Sequence, residues 1–166
     1  MDELAVRMGC TAELMPDAAF VISDETVWAE IEKLGDLEAV DRDGRTPLMN
    51  AACYERTALV KKLIEAGACV NTADRMGATA LHTAVQQGNI ALTKMLLESG
   101  ADVNARDSFG NNPLQWASIF APSELFALLL SYSADPRMKN DYGVSAVDSF
   151  AAYPDVMSIL TENKKP

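Results

Sequence analysis

The sequence repeats itself at intervals of 33 residues, and this period restricts the fold more than any other feature. The stretch "EAGACVNTAD" at 65–74 returns almost unchanged as "ESGADVNARD" at 98–107. Glycine recurs in the same register at Gly44, Gly77, Gly110 and Gly143. Columns of aspartate, leucine and alanine share the register, which chance does not explain. A period of this length is typical of a solenoid, in which each repeat is one small unit and neighbouring units bury a continuous core.

Each unit is predicted to be a tight turn followed by two short helices. Segments such as "DRDG" and "DRMG" have an aspartate three residues before a glycine. The aspartate side chain can accept hydrogen bonds from the backbone that follows it, and the glycine tolerates positive φ. A residue able to cap a helix comes two positions after each glycine: Thr46, Thr79, Asn112 and Ser145. In the second unit the helices are predicted at about 79–87 and about 90–99. Gly67 and Gly100 are predicted to end second helices in the left-handed conformation. Ser133 takes this place in the third unit, where we expect a weaker or differently built cap.

These residues give the chain a clear resemblance to the ankyrin-repeat family. The segments "DRDGRTPLMNAA" and "DRMGATALHTAV", with "GADVNARD" closing a unit, are similar to the signature of that family. The resemblance implies an all-α fold, a solenoid of stacked helix-turn-helix units joined by β-turn loops. It covers Asp41 to about Asp155, and the last unit departs from the pattern at Phe150 and Pro154, as a capping repeat would.

The repeat register also predicts how the chain is divided. Residues 41–161 form the ankyrin-repeat domain, with units at 41–73, 74–106, 107–139 and 140–161. Residues 23–40 form an N-terminal capping helix, whose apolar pattern runs through Val27, Trp28, Ile31 and Leu34 to a stop at Gly35. Residues 1–22 are an N-terminal arm or short helix, and residues 162–166 are a tail.

The charge of the chain is negative and concentrated near its start. The formal net charge is −10, and residues 1–40 contribute −8 of it through ten acids and two bases. This sign disfavours nucleic acid and anionic membranes as partners and suits a basic protein, although acidity can also serve solubility alone. The N-terminus lacks the pattern of a secretory signal, and no apolar run is long enough to span a membrane. Three cysteines without a paired spacing favour a cytoplasmic protein with reduced thiols.

Catalytic and metal sites find little support in the residue pattern. His82 is the only histidine, and the resemblance gives it a structural role, bonding its helix to the preceding turn at Thr79. It has no zinc-like spacing to Cys53 or Cys69, and no glycine-rich phosphate loop is present. The turn aspartates Asp41, Asp74 and Asp107 recur with the repeat, which indicates architecture and not a catalytic pair. We therefore expect a non-catalytic protein without a cofactor or a metal, and an enzyme with an unrecognised site is the remote alternative.

The candidate binding surface consists of residues that stacking leaves free, on the turn tips and at the ends of the first helices. These are Arg42, Asp43, Arg45, Tyr54, Arg75, Met76, Gln86, Gln87, Ser108, Phe109, Asn111, Ile119, Phe120, Tyr142 and Tyr153. Aromatic residues and arginine are the types enriched in binding hot spots. Phe120 and Tyr153 could instead fill grooves between helices, and Trp116 suits core or rim equally well.

The function predicted from this surface is binding of a protein partner. One version is a small inhibitor that occludes an enzyme, as in bacterial immunity proteins with ankyrin repeats or ankyrin-type inhibitors of cyclin-dependent kinases, which resemble this chain in size and acidity. The alternative is an adaptor that bridges proteins. An acidic inhibitor steered to a basic partner should associate more slowly at high ionic strength, whereas an aromatic-anchored adaptor should respond little. Either version is compatible with a monomer or a weak homodimer.

Overall fold

The computed structural model describes residues 23–117 and 121–162, and every structural statement below concerns these residues. They contain helices and turns without any β-strand. The helices are α1 (Asp24–Leu34), α2 (Pro47–Cys53), α3 (Thr57–Glu65), α4 (Ala80–Gln86), α5 (Ile90–Glu98), α6 (Pro113–Trp116), α7 (Ser123–Ser131), α8 (Ala146–Ser149) and α9 (Pro154–Glu162). None of these helices is both long and apolar enough to cross a membrane.

The units are helical hairpins stacked side by side, so the first helices form one layer and the second helices another. The first helices of the units, α2, α4, α6 and α8, pack in series, and each of the second helices α3 and α5 packs on the first helix of its own unit. The leucine columns supply the seam between units: Leu48, Leu81 and Leu114 are almost fully buried, as are Leu63, Leu96 and Leu129. Ala51 and Ala84 are buried where first helices meet, because a methyl group allows close approach. The all-α solenoid predicted from the repeat is therefore confirmed.

Helix starts follow the predicted caps. Thr46, Thr79, Asn112 and Ser145 are the N-cap residues of α2, α4, α6 and α8. In the N-terminal helix α1, Ser23 Oγ accepts the N–H of Thr26, and Gly35 ends the helix in the left-handed conformation. Val27 and Ile31 of α1 are buried, but Leu34 is 46% exposed. The apolar side of α1 is therefore in contact with the core only over the first two turns of the helix.

The turns are held by their aspartates and bonded to one another. In the first turn, Asp41 Oδ1 accepts the N–H groups of Asp43 and Arg45 at 2.9 and 3.0 Å. Neighbouring turns are joined by main-chain bonds: the N–H groups of Arg75, Ser108 and Asp141 donate to the carbonyls of Asp43, Met76 and Phe109 at 3.0, 2.7 and 3.0 Å. This ladder fixes the spacing of the turn tips.

The third unit loses part of its first helix. Helix α6 ends at Trp116, whereas α2 and α4 each run for seven residues. The earlier units leave their first helix through a residue with positive φ, Glu55 or Gly88. Ala121 occupies this place in the third unit and precedes Pro122, which pushes it toward extended conformations. Ala121 accordingly does not have the positive φ found at Glu55 and Gly88.

The cap at Ser133 has the same geometry as the glycine caps. Its φ is +67°, and the bonds from Ser133 N–H to Leu130 and from Ala134 N–H to Leu129 match those at Gly67 and Ala68. The cap is therefore not differently built, but a side chain occupies a left-handed position. Left-handed backbone costs a residue with a Cβ roughly 1–2 kcal/mol, partly offset by the greater unfolded-state entropy of glycine.

Replacing Ser133 with glycine should therefore raise the free energy of unfolding by about 0.5–1 kcal/mol. Urea denaturation of both proteins would measure the change. A neutral or destabilising result would show that the serine side chain contributes a compensating contact.

Candidate functional site

The exposed apolar residues of the turns lie in one row across the repeats. Met76, Phe109 and Tyr142 occupy the same position in successive turns, and together they are called the tip strip. Their exposed fractions are 51%, 43% and 73%. The rings of Phe109 and Tyr142 stack with a 6.5 Å centroid separation and a 24° angle between planes. Because the turns are bonded main chain to main chain, the row is presented on a rigid edge.

Four arginines accompany this edge, and they fall into two groups. Arg45 Nε lies 3.7 Å from Asp74 Oδ2, and Arg106 Nη2 lies 3.0 Å from Asp141 Oδ1. Arg42 and Arg75 are exposed on the first two turns and form no ion pair with any described carboxylate. The N-terminal end of the edge therefore carries two unpaired guanidinium groups together with the exposed carboxylate of Asp43, and the C-terminal end is aromatic.

The predicted site residues are distributed over two rows. The turn tips expose Arg42, Asp43, Arg75, Met76, Ser108, Phe109 and Tyr142. The far ends of the first helices expose Tyr54, Gln86, Gln87 and Tyr153. A seven-residue helix separates the rows by roughly 10 Å. Ile119 and Phe120 lie outside the described residues.

Some predicted site residues are used within the fold. Asn111 is half-buried: its Nδ2 donates to Asp107 Oδ2 at 3.0 Å, and its Oδ1 accepts from Asn140 Nδ2 at 2.8 Å. Arg45 is half-buried and paired with Asp74, as noted above. Gln87 Nε2 donates to the carbonyl of Cys53 at 2.6 Å, which links two units. Val144, a further turn-tip residue of the last unit, is 38% exposed.

Trp116 lies between core and rim, and its indole group bonds to the turn. Its Nε1 donates to Asp107 Oδ2 at 2.8 Å, and its ring meets His82 edge-on with centroids 5.2 Å apart. Asn50, two units earlier at the same repeat position, donates its amide to Asp41 in the same way. Burial alone would raise the pKa of Asp107, but the bonds from Asn111 and Trp116 outweigh it and hold that pKa below its usual value.

His82 is buried and bonded as a structural histidine. Its Nδ1 accepts the N–H of Thr79 at 3.1 Å, so the proton of the neutral ring is on Nε2, which faces the carbonyl of Asn111 at 3.3 Å. Burial lowers the pKa of His82, and the nearby carbonyl of Asn111 and the carboxylates of Asp107 and Asp74 only partly oppose this. In residues 23–117 and 121–162 no cluster of three or more acidic, histidine or cysteine side chains is arranged to hold a metal ion.

A separate groove lies between the outer helices α3 and α5, with a volume of about 500 Å³. Its charged groups are paired within each helix, Lys61 with Glu65 and Lys94 with Glu98, both at 3.8 Å. The groove therefore offers a partner no uncompensated charge, unlike the turn edge.

Comparison with protein families supports what the geometry shows. Residues 17–107 match a family model described as ankyrin repeats in three copies. No curated protein gives a significant match. The family match spans more than half of the 166 residues, and the helices of 113–162 continue the same stacking beyond it. The chain belongs to the ankyrin-repeat family.

Proposed function

We propose that this chain is a small inhibitor that binds a protein partner along the tip strip and occludes its working surface. Ankyrin repeats are protein–protein interaction modules and are typically non-catalytic. The observation that carries the proposal is the tip strip, three exposed apolar side chains aligned on a hydrogen-bonded edge. A contiguous row of exposed aromatic and other apolar residues marks a surface that binds a partner more often than a surface that only contacts solvent.

The rigidity of the edge favours tight binding. The carbonyls of Asp43, Met76 and Phe109 are already bonded to the next turn, so the backbone loses little freedom when a partner is bound. Phe109 and Tyr142 restrict each other by stacking, which lowers the cost of fixing either ring. Binding energy can then come from desolvating the apolar faces.

Occlusion follows from the dimensions of the chain. The tip strip lies before the first helices, and Tyr54 and Tyr153 lie just beyond the far ends of first helices, so a partner covering one row reaches toward the other. The negative charge of the chain, with exposed Glu25, Glu32 and Asp36 on and after α1, would attract a basic partner at long range. An adaptor would need a second surface for a second protein.

Affinity capture with the tagged full chain, followed by mass spectrometry, would identify the partner. Phe109→Ala should then weaken binding of the purified partner by about 10-fold or more, the loss expected for one aromatic anchor. Tyr132→Ala is the matched control, because Tyr132 is 37% exposed but lies at the end of α7, away from the turns. Equal binding by both variants would contradict the proposal.

The inhibitor and adaptor versions differ in a second measurement. An inhibitor should suppress the partner's own activity at a 1:1 ratio, and Phe109→Ala should shift that titration in parallel with binding. A captured assembly in which two proteins bind the chain at once, with the partner still active, would favour the adaptor.

A further inference from the structure

The two arginines beside the tip strip differ from their neighbours because their guanidinium groups are unpaired. The guanidinium groups of Arg42 and Arg75 form no hydrogen bond or ion pair within residues 23–117 and 121–162, although the chain has an excess of ten acids. Arg45 and Arg106, close by on the same edge, are each neutralised by the aspartate of a neighbouring turn. Asp43 is exposed on the same edge but forms no ion pair with either guanidinium group, so both remain available to the carboxylates of a partner.

The position of these arginines relative to the strip is defined. Main-chain bonding places Arg75 directly beside Asp43, and the stem of Arg75 lies against Gly44, where an added Cβ would be 2.9 Å from Arg75 Cγ. Arg75 precedes Met76, the first apolar residue of the strip. The edge therefore presents unpaired guanidinium groups on its first two turns and apolar side chains on its second, third and fourth turns.

The strip is suited to a single extended segment. Stacked helical units repeat at roughly 10 Å, so four turns span roughly 30 Å, which about nine extended residues would cover. The ring centroids of Phe109 and Tyr142 are 6.5 Å apart. Side chains on one face of an extended strand are separated by nearly the same distance, about 6.6 Å. Alternate apolar residues of such a segment could each contact one ring.

From these observations, and resting on the proposed function, we propose that the partner binds through an extended segment that is acidic at one end and apolar at the other. Its carboxylates pair with Arg42 and Arg75, and its apolar side chains cover Met76, Phe109 and Tyr142. Guanidinium groups suit this role because they bind carboxylates through two parallel hydrogen bonds. The proposed long-range attraction between this chain and a basic partner involves the acidic residues on and after α1, so it is compatible with a short acidic segment at the turns.

A selection from phage-displayed random dodecapeptides on the full chain tests the segment chemistry. Peptides enriched on the wild-type chain should carry Asp or Glu toward one end and apolar residues toward the other. Each is then synthesised with a fluorescein label, together with a version in which Glu and Asp become Gln and Asn. Replacing Arg42 and Arg75 with serine, the residue that Ser108 supplies at the same repeat position, should weaken the acidic peptide about 10-fold.

The neutral peptide is the control for this pairing. It should bind the wild-type chain about 10-fold more weakly than the acidic peptide and should lose little more on the double serine variant, so the two changes are not additive. Phe109→Ala should weaken both peptides, and Tyr132→Ala should weaken neither.

Several results would overturn the inference. They are enriched peptides without acidic residues, a loss of less than about 2-fold on the double serine variant, or no peptide that depends on Phe109. Competition by a 15-residue oligothymidine would assign the arginines and rings to single-stranded nucleic acid instead. The proposed function fails separately, if the captured protein partner binds Phe109→Ala and wild-type chains equally well.

Discussion

Replacing Gly77 with alanine is expected to lower the free energy of unfolding by about 3 kcal/mol. Gly77 has a φ of +75°, and an added Cβ would lie 2.8 Å from the backbone N of Ser108 and 2.9 Å from the carbonyl carbon of Asp107. These are main-chain atoms of the next turn and cannot rotate away. The turns would have to separate, which breaks the 2.7 Å bond from Ser108 N–H to the carbonyl of Met76.

Gly143→Ala is the matched control for this prediction. Gly143 holds the same place in the last turn with a φ of +77°, but nothing lies within 4 Å of an added Cβ there. Only the left-handed strain remains, about 1–2 kcal/mol before the partial offset from the greater unfolded-state entropy of glycine. Urea unfolding followed by circular dichroism gives both values. Equal losses would mean that backbone conformation alone, without the close approach of a neighbouring turn, sets the cost at Gly77.

Features that depend on residues within one turn were predictable from the sequence. The capping positions and the end of α1 at Gly35 follow from local chemistry: a side-chain oxygen at a helix start, and a residue without a Cβ at a left-handed position. The second unit illustrates the precision, since helices predicted at about 79–87 and 90–99 are found at Ala80–Gln86 and Ile90–Glu98. The 33-residue register then implies stacking.

Contacts between units were not predictable to the same degree. At the position of Trp116 the other units have Asn50, Thr83 and Ser149, so the sequence left its place open. Only the structure reveals that its indole N–H replaces the amide of Asn50 as a donor to the turn aspartate. Different residues at one repeat position can therefore make the same hydrogen bond, and the sequence alone does not reveal that they share this role.

The candidate site divides in the same way. Exposure of Phe109 and Tyr142 follows from their place in the turn, and it was predicted from the repeat. The distinction between paired and unpaired arginines depends on which carboxylate of a neighbouring turn comes within reach, and 33-residue spacing does not encode that distance. Arg42 and Arg75 stand out from Arg45 and Arg106 only in three dimensions.

His82 should make the stability of the fold depend on pH below neutrality. Its folded-state pKa is lowered by burial from an unfolded value of about 6.5. Below that pH the unfolded chain binds a proton that the folded chain does not, so stability falls as pH falls through about 6.5, by at most about 1.4 kcal/mol per unit. The added proton would go to Nδ1, where the N–H of Thr79 already donates.

Two substitutions of His82 separate its packing from its titration. His82→Ala should cost about 2–4 kcal/mol at pH 7.5, because Thr79 N–H and the Asn111 carbonyl both lose a partner and the edge contact of Trp116 disappears. His82→Gln should fold, since Gln115 makes the equivalent bonds in the third unit: its Oε1 accepts from Asn112 N–H at 3.0 Å, and its Nε2 donates to the Val144 carbonyl at 2.8 Å.

The pH profile of the glutamine variant decides whether the histidine is responsible. Denaturation at pH 7.5 and pH 5.5 should show a loss of stability in the wild-type chain and a much smaller loss in His82→Gln. The carboxylates with lowered pKa values, Asp107 among them, contribute only as pH falls further, through the acidic range in which they protonate. If His82→Gln loses as much stability between these two pH values as the wild-type chain, another group must take up the proton, and the buried neutral imidazole is not the source of the pH dependence.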